Sequence, residues 1–244
     1  MNKNQISDEE LTQKLSCHMC NSLNYCTVGR PNKKIGNCPM IFNPEIQKEA
    51  KVLYDTDDFI KYSTAVASIV EAKGYIHWPR LKDTIEYAKG MNYKKIGLAF
   101  CIGLRREAEK IAEILEKYGF EIFSVCCKTG GIKKAEVGVP KEYTMNSKTG
   151  YVIGWVTCNP VAQALLLNKY KTDMNVIIGL CVGHDITFTH LSKAPVTTLI
   201  AKERFAPHNP ASVLFSHYGQ AFFNLDLEKM KKEMQYKKNK KDSK

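Results

Sequence analysis

The sequence predicts an α/β protein with a three-layer, mostly parallel sheet and flanking helices, preceded by a Cys-rich metal-binding N-terminal segment. From residue 94 onward, apolar runs without polar alternation, typical of strands buried on both faces, alternate with segments of helical periodicity. This alternation favours a parallel sheet with right-handed crossovers. Four cysteines within residues 15–40, in a stretch with few apolar residues, indicate a segment that a bound metal holds together.

These sequence patterns divide the chain into three regions. We expect a Cys-rich metal-binding segment over residues 1–42 and a helical region packed on the main domain over 43–93. Residues 94–244 form the α/β domain, with thiols at its strand ends and a basic tail. A chain of 244 residues is long enough to bury a full core.

The composition restricts the cellular compartment and the kinds of partner that we expect for this protein. The chain has nine cysteines, no apolar run long enough for a bilayer and a polar N-terminus, so we expect a cytoplasmic protein without membrane contact. In that compartment cysteines are metal ligands or reactive thiols rather than disulfides. The net charge of +11 is concentrated in residues 229–244. That tail is a solvated helix or a basic arm, and the lack of basic–aromatic interleaving elsewhere argues against nucleic acid as the partner.

The region before the sheet is predicted to be helical. Asn43-Pro44-Glu45 has a capping residue, a proline at the first helical position and an acid in the first turn. The helix extends to about residue 74, with a break near 55–57, and another helix covers 79–89.

The sheet region is predicted as alternating elements. We expect strands over 95–101, 120–126, 151–157, 174–181 and 195–202, and helices over 104–118, 160–169, 185–191 and 225–237. Residues 128–150 form a long loop, and Asn159 caps the helix that begins at Pro160.

The first cysteine constellation is Cys17, Cys20, Cys26 and Cys38, spaced C-x2-C-x5-C-x11-C and followed by Pro39. Four thiolates from one loop-rich segment can bind zinc or a [4Fe–4S] cluster. A terminal Cys-Pro favours the iron–sulfur cluster, with zinc as the alternative. The remaining possibility is a set of free or redox-regulated thiols.

The second constellation consists of cysteines that end predicted strands or precede a predicted helix: Cys101, Cys126, Cys127, Cys158 and Cys181. The carboxyl ends of parallel strands meet at one edge of a sheet, so these thiols are expected to face one crevice. They would bind a second cluster or another soft metal, or act as nucleophiles. Singly, each of them could instead be a small buried hydrophobe.

Helix N-termini give some of these thiols a further role. The helix dipole stabilises a thiolate, so we expect lowered pKa values for Cys101, Cys158 and Cys181. His184 is a candidate general base or ligand, and Asp185 is a helix cap or a catalytic group. The catalytic candidates are Cys158, Cys181, His184 and Asp185.

Several short motifs resemble a known family. They are Cys158-Asn159-Pro160, Ala162-Gln163-Ala164, Leu167-Asn168, Thr172-Asp173-Met174-Asn175, Gly179-Leu180-Cys181-Val182-Gly183-His184-Asp185, Ala194-Pro195-Val196-Thr197-Thr198-Leu199 and His208-Asn209-Pro210. Together they resemble a bacterial and archaeal family known as domain of unknown function 1847 and described as metal-binding. The four N-terminal cysteines match its cysteine-rich start, and Cys101-Ile102-Gly103 and Cys126-Cys127-Lys128 are similar to its central motifs. The resemblance implies metal binding in anaerobes and no particular reaction.

The function hypothesis is a cytosolic iron–sulfur protein of redox or sulfur metabolism that acts on a small-molecule substrate or a redox partner. As an enzyme it would be an iron–sulfur-dependent oxidoreductase or a sulfur-transfer enzyme. Two alternatives are a non-catalytic metal carrier or sensor, and a zinc-stapled module that binds nucleic acid through its lysine tail. The chain has neither the dinucleotide-binding nor the P-loop fingerprint.

Overall fold

The computed structural model describes residues 15–20, 24–30, 38–144, 154–214 and 223. The chain divides into two compact units, Met1–Ile69 and Val70–Lys244. The first unit contains three short helical segments, Cys17–Met19, Asn24–Thr27 and Pro39–Phe42.

Two longer helices follow: α1, Pro44–Thr56, and α2, Asp58–Gly74. The predicted break between them is confirmed and lies at Asp57. The Asp57 carboxylate accepts a hydrogen bond from the Ile60 N–H at 2.9 Å, the interaction of a residue that caps a helix N-terminus.

The second unit contains a four-stranded parallel sheet in the order β2-β1-β3-β4. Its elements, in chain order, are α3 (Arg80–Gly90), β1 (Lys95–Phe100), α4 (Arg105–Lys117), β2 (Glu121–Cys126), α5 (Pro160–Tyr170), β3 (Met174–Ile178), α6 (His184–Leu191) and β4 (Val196–Ile200). The predicted α/β fold with a parallel sheet is therefore confirmed.

The strand order places the helices in separate layers. The connection from β1 to β2 runs in one direction along the sheet, and those from β2 to β3 and from β3 to β4 run in the other. Right-handed crossovers in opposite directions cover opposite faces, with α4 on one side and α5 and α6 on the other. The direction reverses between β1 and β3, and such a switch point opens a crevice at the carboxyl ends of the two strands.

The central strands explain why the sequence has uninterrupted apolar runs there. All five residues of β3 and the four middle residues of β1 are buried, because helices cover both faces. Ile96, Leu98, Val176, Ile177 and Ile178 are each at most 1% exposed.

One polar side chain lies inside this core with its hydrogen bonds satisfied. Asn175, fully buried on β3, accepts from the Thr172 hydroxyl at 2.7 Å and donates to Ser192 Oγ at 2.8 Å. A Cβ on Gly97 of β1 would overlap the Asn175 amide oxygen and lie 2.8 Å from Leu167 Cδ1. Glycine is therefore required at position 97 by close packing.

The loop between β2 and α5 differs from the sequence prediction. In place of a strand over 151–157, the described part has one isolated bridge, between Val156 and Lys133, and residues 151–153 lie outside the described residues. The predicted terminal helix over 225–237 also lies outside them. Two 3₁₀ turns, Lys134–Val137 and Lys141–Thr144, occur in the loop. No helix of the described ranges has both the length and the apolar character needed to cross a membrane.

Candidate functional site

Two thiols directly follow the adjacent strands β1 and β2 at the carboxyl edge of the sheet. The main-chain pairing continues one residue beyond β1 and β2. The Cys101 N–H donates to the Ile178 carbonyl at 3.1 Å, and the Cys127 N–H donates to the Phe100 carbonyl at 2.8 Å. Cys101 and Cys127 are thus the first residues after two adjacent, in-register strands.

A third thiol, Cys158, reaches the same edge from the loop before α5. The Thr157 N–H donates to the Ile132 carbonyl at 2.9 Å, and the Asn159 N–H donates to the Cys127 carbonyl at 2.7 Å. Asn159 then caps α5 by accepting from the Ala162 N–H at 2.9 Å, as the sequence predicted.

The turn after Cys127 is shaped to fit against this cap. Gly130 has φ +88°, a backbone conformation that favours glycine, and a Cβ there would lie 3.1 Å from the Asn159 amide nitrogen. The same nitrogen donates to the Thr129 carbonyl at 3.1 Å. The turn therefore holds the residue that follows Cys158.

The fourth thiol, Cys181, follows β3 through a second glycine turn. Gly179 has φ +66°, its N–H donates to the Ile200 carbonyl at 2.8 Å, and a Cβ there would lie 2.7 Å from Leu104. The Cys181 carbonyl accepts from the N–H groups of His184 and Asp185, which begin α6. Because Cys101 and Cys181 follow β1 and β3, they flank the switch point of the sheet.

We call Cys101, Cys127, Cys158 and Cys181 the thiol cluster. The Cys127 thiol is the neighbour with the largest effect on the pKa values of both Cys101 and Cys158. Its sulfur also accepts from the Ile102 N–H at 3.3 Å. Cys181 is close enough for the charges of Cys101 and Cys158 to act on it.

Cationic side chains adjoin the cluster. Lys202 Nζ lies 3.6 Å from the Cys101 sulfur, and an Arg204 guanidinium nitrogen lies 2.8 Å from the Cys181 sulfur. Glu203, between them, accepts from the N–H groups of Arg204 and Phe205 at 2.7 Å each, which fixes the loop after β4. Lys128 supplies a third positive charge near Cys158 and donates to the Val156 carbonyl at 2.7 Å.

Two thiols of the cluster have lowered pKa values. The Cys127 thiol, the Gly103 N–H and the charge of Lys202 lower the pKa of Cys101 to about 5, against the effect of burial. The same Cys127 thiol, followed by the charges of Lys128 and His184, lowers the pKa of Cys158 to about 6. The predicted lowering at these two positions is confirmed, but the first cause in each case is another thiol.

The other two thiols keep their protons. Hydrogen bonds to Cys101 and Cys158, together with burial, raise the pKa of Cys127. Burial also raises the pKa of Cys181, assisted by the negative charges of Cys101 and Cys158 and opposed by Arg204. The prediction that a helix N-terminus lowers the pKa of Cys181 is therefore wrong, because desolvation outweighs the nearby positive charge.

The family model described as a protein of unknown function, DUF1847, matches residues 38–199. This chain belongs to the DUF1847 family. The uncharacterized protein MJ0455 of Methanocaldococcus jannaschii is 40% identical to it over 204 residues, which are 84% of this chain and 95% of the relative. No solved structure matches the chain. The DUF1847 match includes all four residues of the thiol cluster and ends before Lys202 and Arg204.

Among the other predicted site residues of this DUF1847 protein, His184 lies by the cluster, whereas no contact of the Asp185 carboxylate or the Cys126 thiol with a cluster sulfur is found among the described residues. His184 is near enough to Cys158 to lower its pKa, and within the described residues its buried Nδ1 has no hydrogen-bond partner. Asp185 accepts from the Ile186 N–H, and Gly183, not Asp185, occupies the cap position of α6. Cys126, the last residue of β2, packs against the core edge and takes no part in the thiol contacts described above.

Four residues near the cluster were not predicted as functional: Lys128, Gln163, Lys202 and Arg204. Lys202 and Arg204 follow β4 at the same edge as the thiols, and Lys128 directly follows Cys127, so their positions could have identified them. The Gln163 amide donates to the carbonyls of Phe100 and Val125 at 3.2 and 2.7 Å and joins the ends of β1 and β2. A glutamine one turn into a helix gives no such signal.

The N-terminal cysteines of this DUF1847 protein lie in the first unit. Cys17 and Cys26 are exposed, Cys20 is partly exposed and Cys38 is buried. The Cys26 sulfur lies 3.9 Å from Met40 Sδ. The four-cysteine metal site stays a prediction.

In the described parts of both units, no three His, Cys, Asp or Glu side chains are arranged as a metal site. The donors of the thiol cluster are nevertheless of the kind that a soft metal prefers, since four cysteines from three loops lie at one edge of the sheet and cations adjoin two of their sulfurs.

Proposed function

We propose that this protein is a metal-binding protein of redox or sulfur metabolism whose working centre is the thiol cluster. The bound group would be an iron–sulfur cluster, with a single zinc ion as the alternative. The observation that carries the proposal is that four cysteines lie at one edge of the sheet, with lysine and arginine nitrogens 3.6 and 2.8 Å from the sulfurs of Cys101 and Cys181, which flank the switch point. Four thiolates are the ligand set that iron–sulfur clusters and structural zinc sites share.

The alternative is that these cysteines are only small side chains of the hydrophobic core, without a function of their own. Cys101 and Cys127 are indeed buried with the core. However, apolar packing does not require a lysine and an arginine at two of the sulfurs, and it does not lower a thiol pKa to about 5. A partly buried site that holds thiolate charge needs cationic hydrogen-bond donors near its sulfur atoms.

The residues would have distinct roles in such a centre. Cys101 and Cys158 offer charged sulfurs, and Cys127 and Cys181 would lose their protons on binding. Lys202 and Arg204 would offset the charge of the ligands and donate hydrogen bonds to sulfur, which sets the reduction potential of a sulfur-ligated centre. A bound iron–sulfur cluster would supply one-electron transfer. The N-terminal cysteines would hold a second centre, which we retain as a proposal from their spacing.

The test is the metal and acid-labile sulfide content of protein purified without oxygen, compared across single substitutions. Cys101→Ser, Cys127→Ser, Cys158→Ser and Cys181→Ser should each remove at least half of the metal of one centre. Cys126→Ser, a neighbouring partly buried cysteine outside the cluster, should leave it unchanged. Circular dichroism confirms that each variant folds. Equal metal content in all five folded variants and the wild type would refute the proposal.

A metal carrier or sensor is the second candidate, because two of the four thiols, Cys158 and Cys181, are partly exposed. A carrier should lose its metal to a competing chelator within minutes while remaining folded. A permanent redox centre should resist the chelator and show a reversible reduction. The same purified protein serves for both measurements.

A further inference from the structure

We propose that, in the metal-free protein, Cys158 and Cys127 form a dithiol–disulfide couple that reduces small anionic disulfides by thiol–disulfide exchange. This activity uses the thiol cluster but needs no metal. It therefore stands or falls separately from the proposed metal centre.

The first argument is the difference in access between two neighbouring thiols, whose segments are joined by the Asn159–Cys127 main-chain hydrogen bond. Cys158 is partly exposed at the end of its loop, whereas Cys127 is 1% exposed. Exchange requires one sulfur that a substrate can reach and a second, adjacent sulfur that resolves the mixed disulfide. Cys158 suits the first role and Cys127 the second.

The second argument is the main-chain contact beside the pair. The Asn159 N–H donates to the Cys127 carbonyl at 2.7 Å, so residues 127 and 158 lie side by side. Disulfide-bonded residues have Cα atoms about 4.4–6.8 Å apart, which requires such adjacency. The Asn159 cap and the Thr129 contact hold the two segments together.

The third argument is the charge around the pair, which selects the substrate class. Lys128, Lys202 and Arg204 adjoin the cluster, and the two nearby carboxylates accept hydrogen bonds from main-chain N–H groups. These carboxylates, of Asp185 and Glu203, partly offset the cations but do not pair with them by the contacts described. A disulfide that carries carboxylate or phosphate groups is attracted to such a site.

The chemical steps balance without another reagent. The Cys158 thiolate attacks one sulfur of the disulfide RSSR, forms a mixed disulfide and releases RS⁻. Cys127 then attacks the Cys158 sulfur, releases the second RS⁻ and transfers its proton to that leaving group. The substrate is reduced to RS⁻ and RSH, and the two cysteines are oxidised to one disulfide.

The experiment uses full-length, reduced, metal-free protein and two disulfides of opposite charge. Dithiobis(nitrobenzoate) is dianionic and cystamine is dicationic. After a short reaction and an acid quench, tryptic peptides 118–128 and 149–169 are analysed by mass spectrometry. Each holds one of the two partners, and the other two cluster thiols lie in separate peptides.

We expect wild type to yield the two peptides cross-linked, with no aryl adduct on Cys158. Cys127→Ser should stop at the aryl adduct on Cys158, and Cys126→Ser should cross-link like wild type, although Cys126 shares peptide 118–128. Each rate is divided by the rate of the same disulfide with a free thiol, because the aryl thiol is the better leaving group. The divided rate should be about tenfold higher for the anionic disulfide than for cystamine at low salt, and added salt should narrow this ratio.

A persistent adduct on Cys158 in folded wild-type protein, or a cross-link that survives Cys127→Ser, overturns the proposal. A divided rate that is equal for the two disulfides or higher for cystamine overturns the assigned substrate charge. Metal content measured on the same preparations separates the two proposals. Metal binding without the cross-link refutes only the exchange activity, and the cross-link without metal binding refutes only the metal centre.

Discussion

Cys101 and Cys127 are neighbours across the sheet, and each is the first residue beyond a strand of the same parallel pair. Their proximity follows from register, because Phe100 pairs with Cys126 and the next residues of the two strands are Cys101 and Cys127. Cys158 joins them from outside the sheet, where the Asn159 N–H donates to the Cys127 carbonyl. The predictions below depend on this arrangement and on the segments that hold it.

Alkylation of Cys158 should follow the thiolate fraction set by its neighbours. Its rate with iodoacetamide should rise through about pH 6 and level off above, because the pKa of Cys158 is lowered to about 6. Cys127→Ala removes the first cause of that lowering, so the rate at pH 7 should fall about tenfold.

Cys126→Ala is the control and should leave the profile unchanged. The reaction is followed at peptide 149–169 by mass spectrometry. An alkylation rate of the wild-type protein that still rises steeply above pH 8 would contradict the lowered pKa of Cys158.

Metal binding to the thiol cluster should release about two protons at pH 7, since two of its four thiols are already ionised. Cys127 and Cys181 supply those protons, because the pKa of each is raised. The measurement is zinc titration calorimetry in buffers of different ionisation enthalpy. Cys17→Ser with Cys26→Ser removes two exposed N-terminal thiols and isolates the cluster. Release of about four protons would show that the thiolates do not pre-exist.

Asn159 should contribute to stability as the cap of α5 and as the support for Cys158. Asn159→Ala loses the bond from Ala162 N–H and should lower the free energy of unfolding by about 1–2 kcal/mol. Asn159→Asp keeps the accepting oxygen and loses only the donor to Thr129, so it should be less destabilising. Urea denaturation gives both values. Equal stability of the alanine variant and the wild type would show that the cap contributes nothing.

Gly97 should tolerate no side chain. Gly97→Ala places a Cβ against Asn175 and Leu167 in a packed core and should cost about 1–3 kcal/mol. Gly103→Ala meets nothing closer than the Lys202 amine at 3.5 Å and should change the free energy of unfolding by less than about 0.5 kcal/mol. Thermal or urea unfolding measures the stability of both variants. Similar free energies of unfolding for Gly97→Ala and Gly103→Ala would contradict the close packing described at Gly97.

The sequence was most informative where local patterns and sheet geometry agree. Buried apolar runs predicted β1 and β3, and Asn159-Pro160 predicted the start of α5. The rule that parallel strands end at one edge predicted that Cys101, Cys127 and Cys181 would meet. These features depend on residues close in the chain or on a general rule of connection.

Features that depend on residues distant in the chain were harder to predict from the sequence. The pKa of Cys181 depends on burial and on Arg204, which no local pattern connects to it. Cys126 and Cys127 are consecutive, and which of them joins the cluster depends on the residue at which β2 ends. Within the described residues 154–157, the pairing of Val156 with Lys133 is a single bridge, so the apolar character of this part overstated the strand.

The central claim is that the thiol cluster itself binds the metal, and alkylation protection tests it most directly. Metal-free and metal-loaded protein are treated with iodoacetamide, and Cys158 and Cys181 are read from peptides 149–169 and 172–193. The account predicts that metal slows labelling of both residues about tenfold or more, because a ligated thiolate is no longer a free nucleophile. Labelling of Cys126 should not change. Unchanged labelling of Cys158 and Cys181 in protein that demonstrably contains metal would contradict the account.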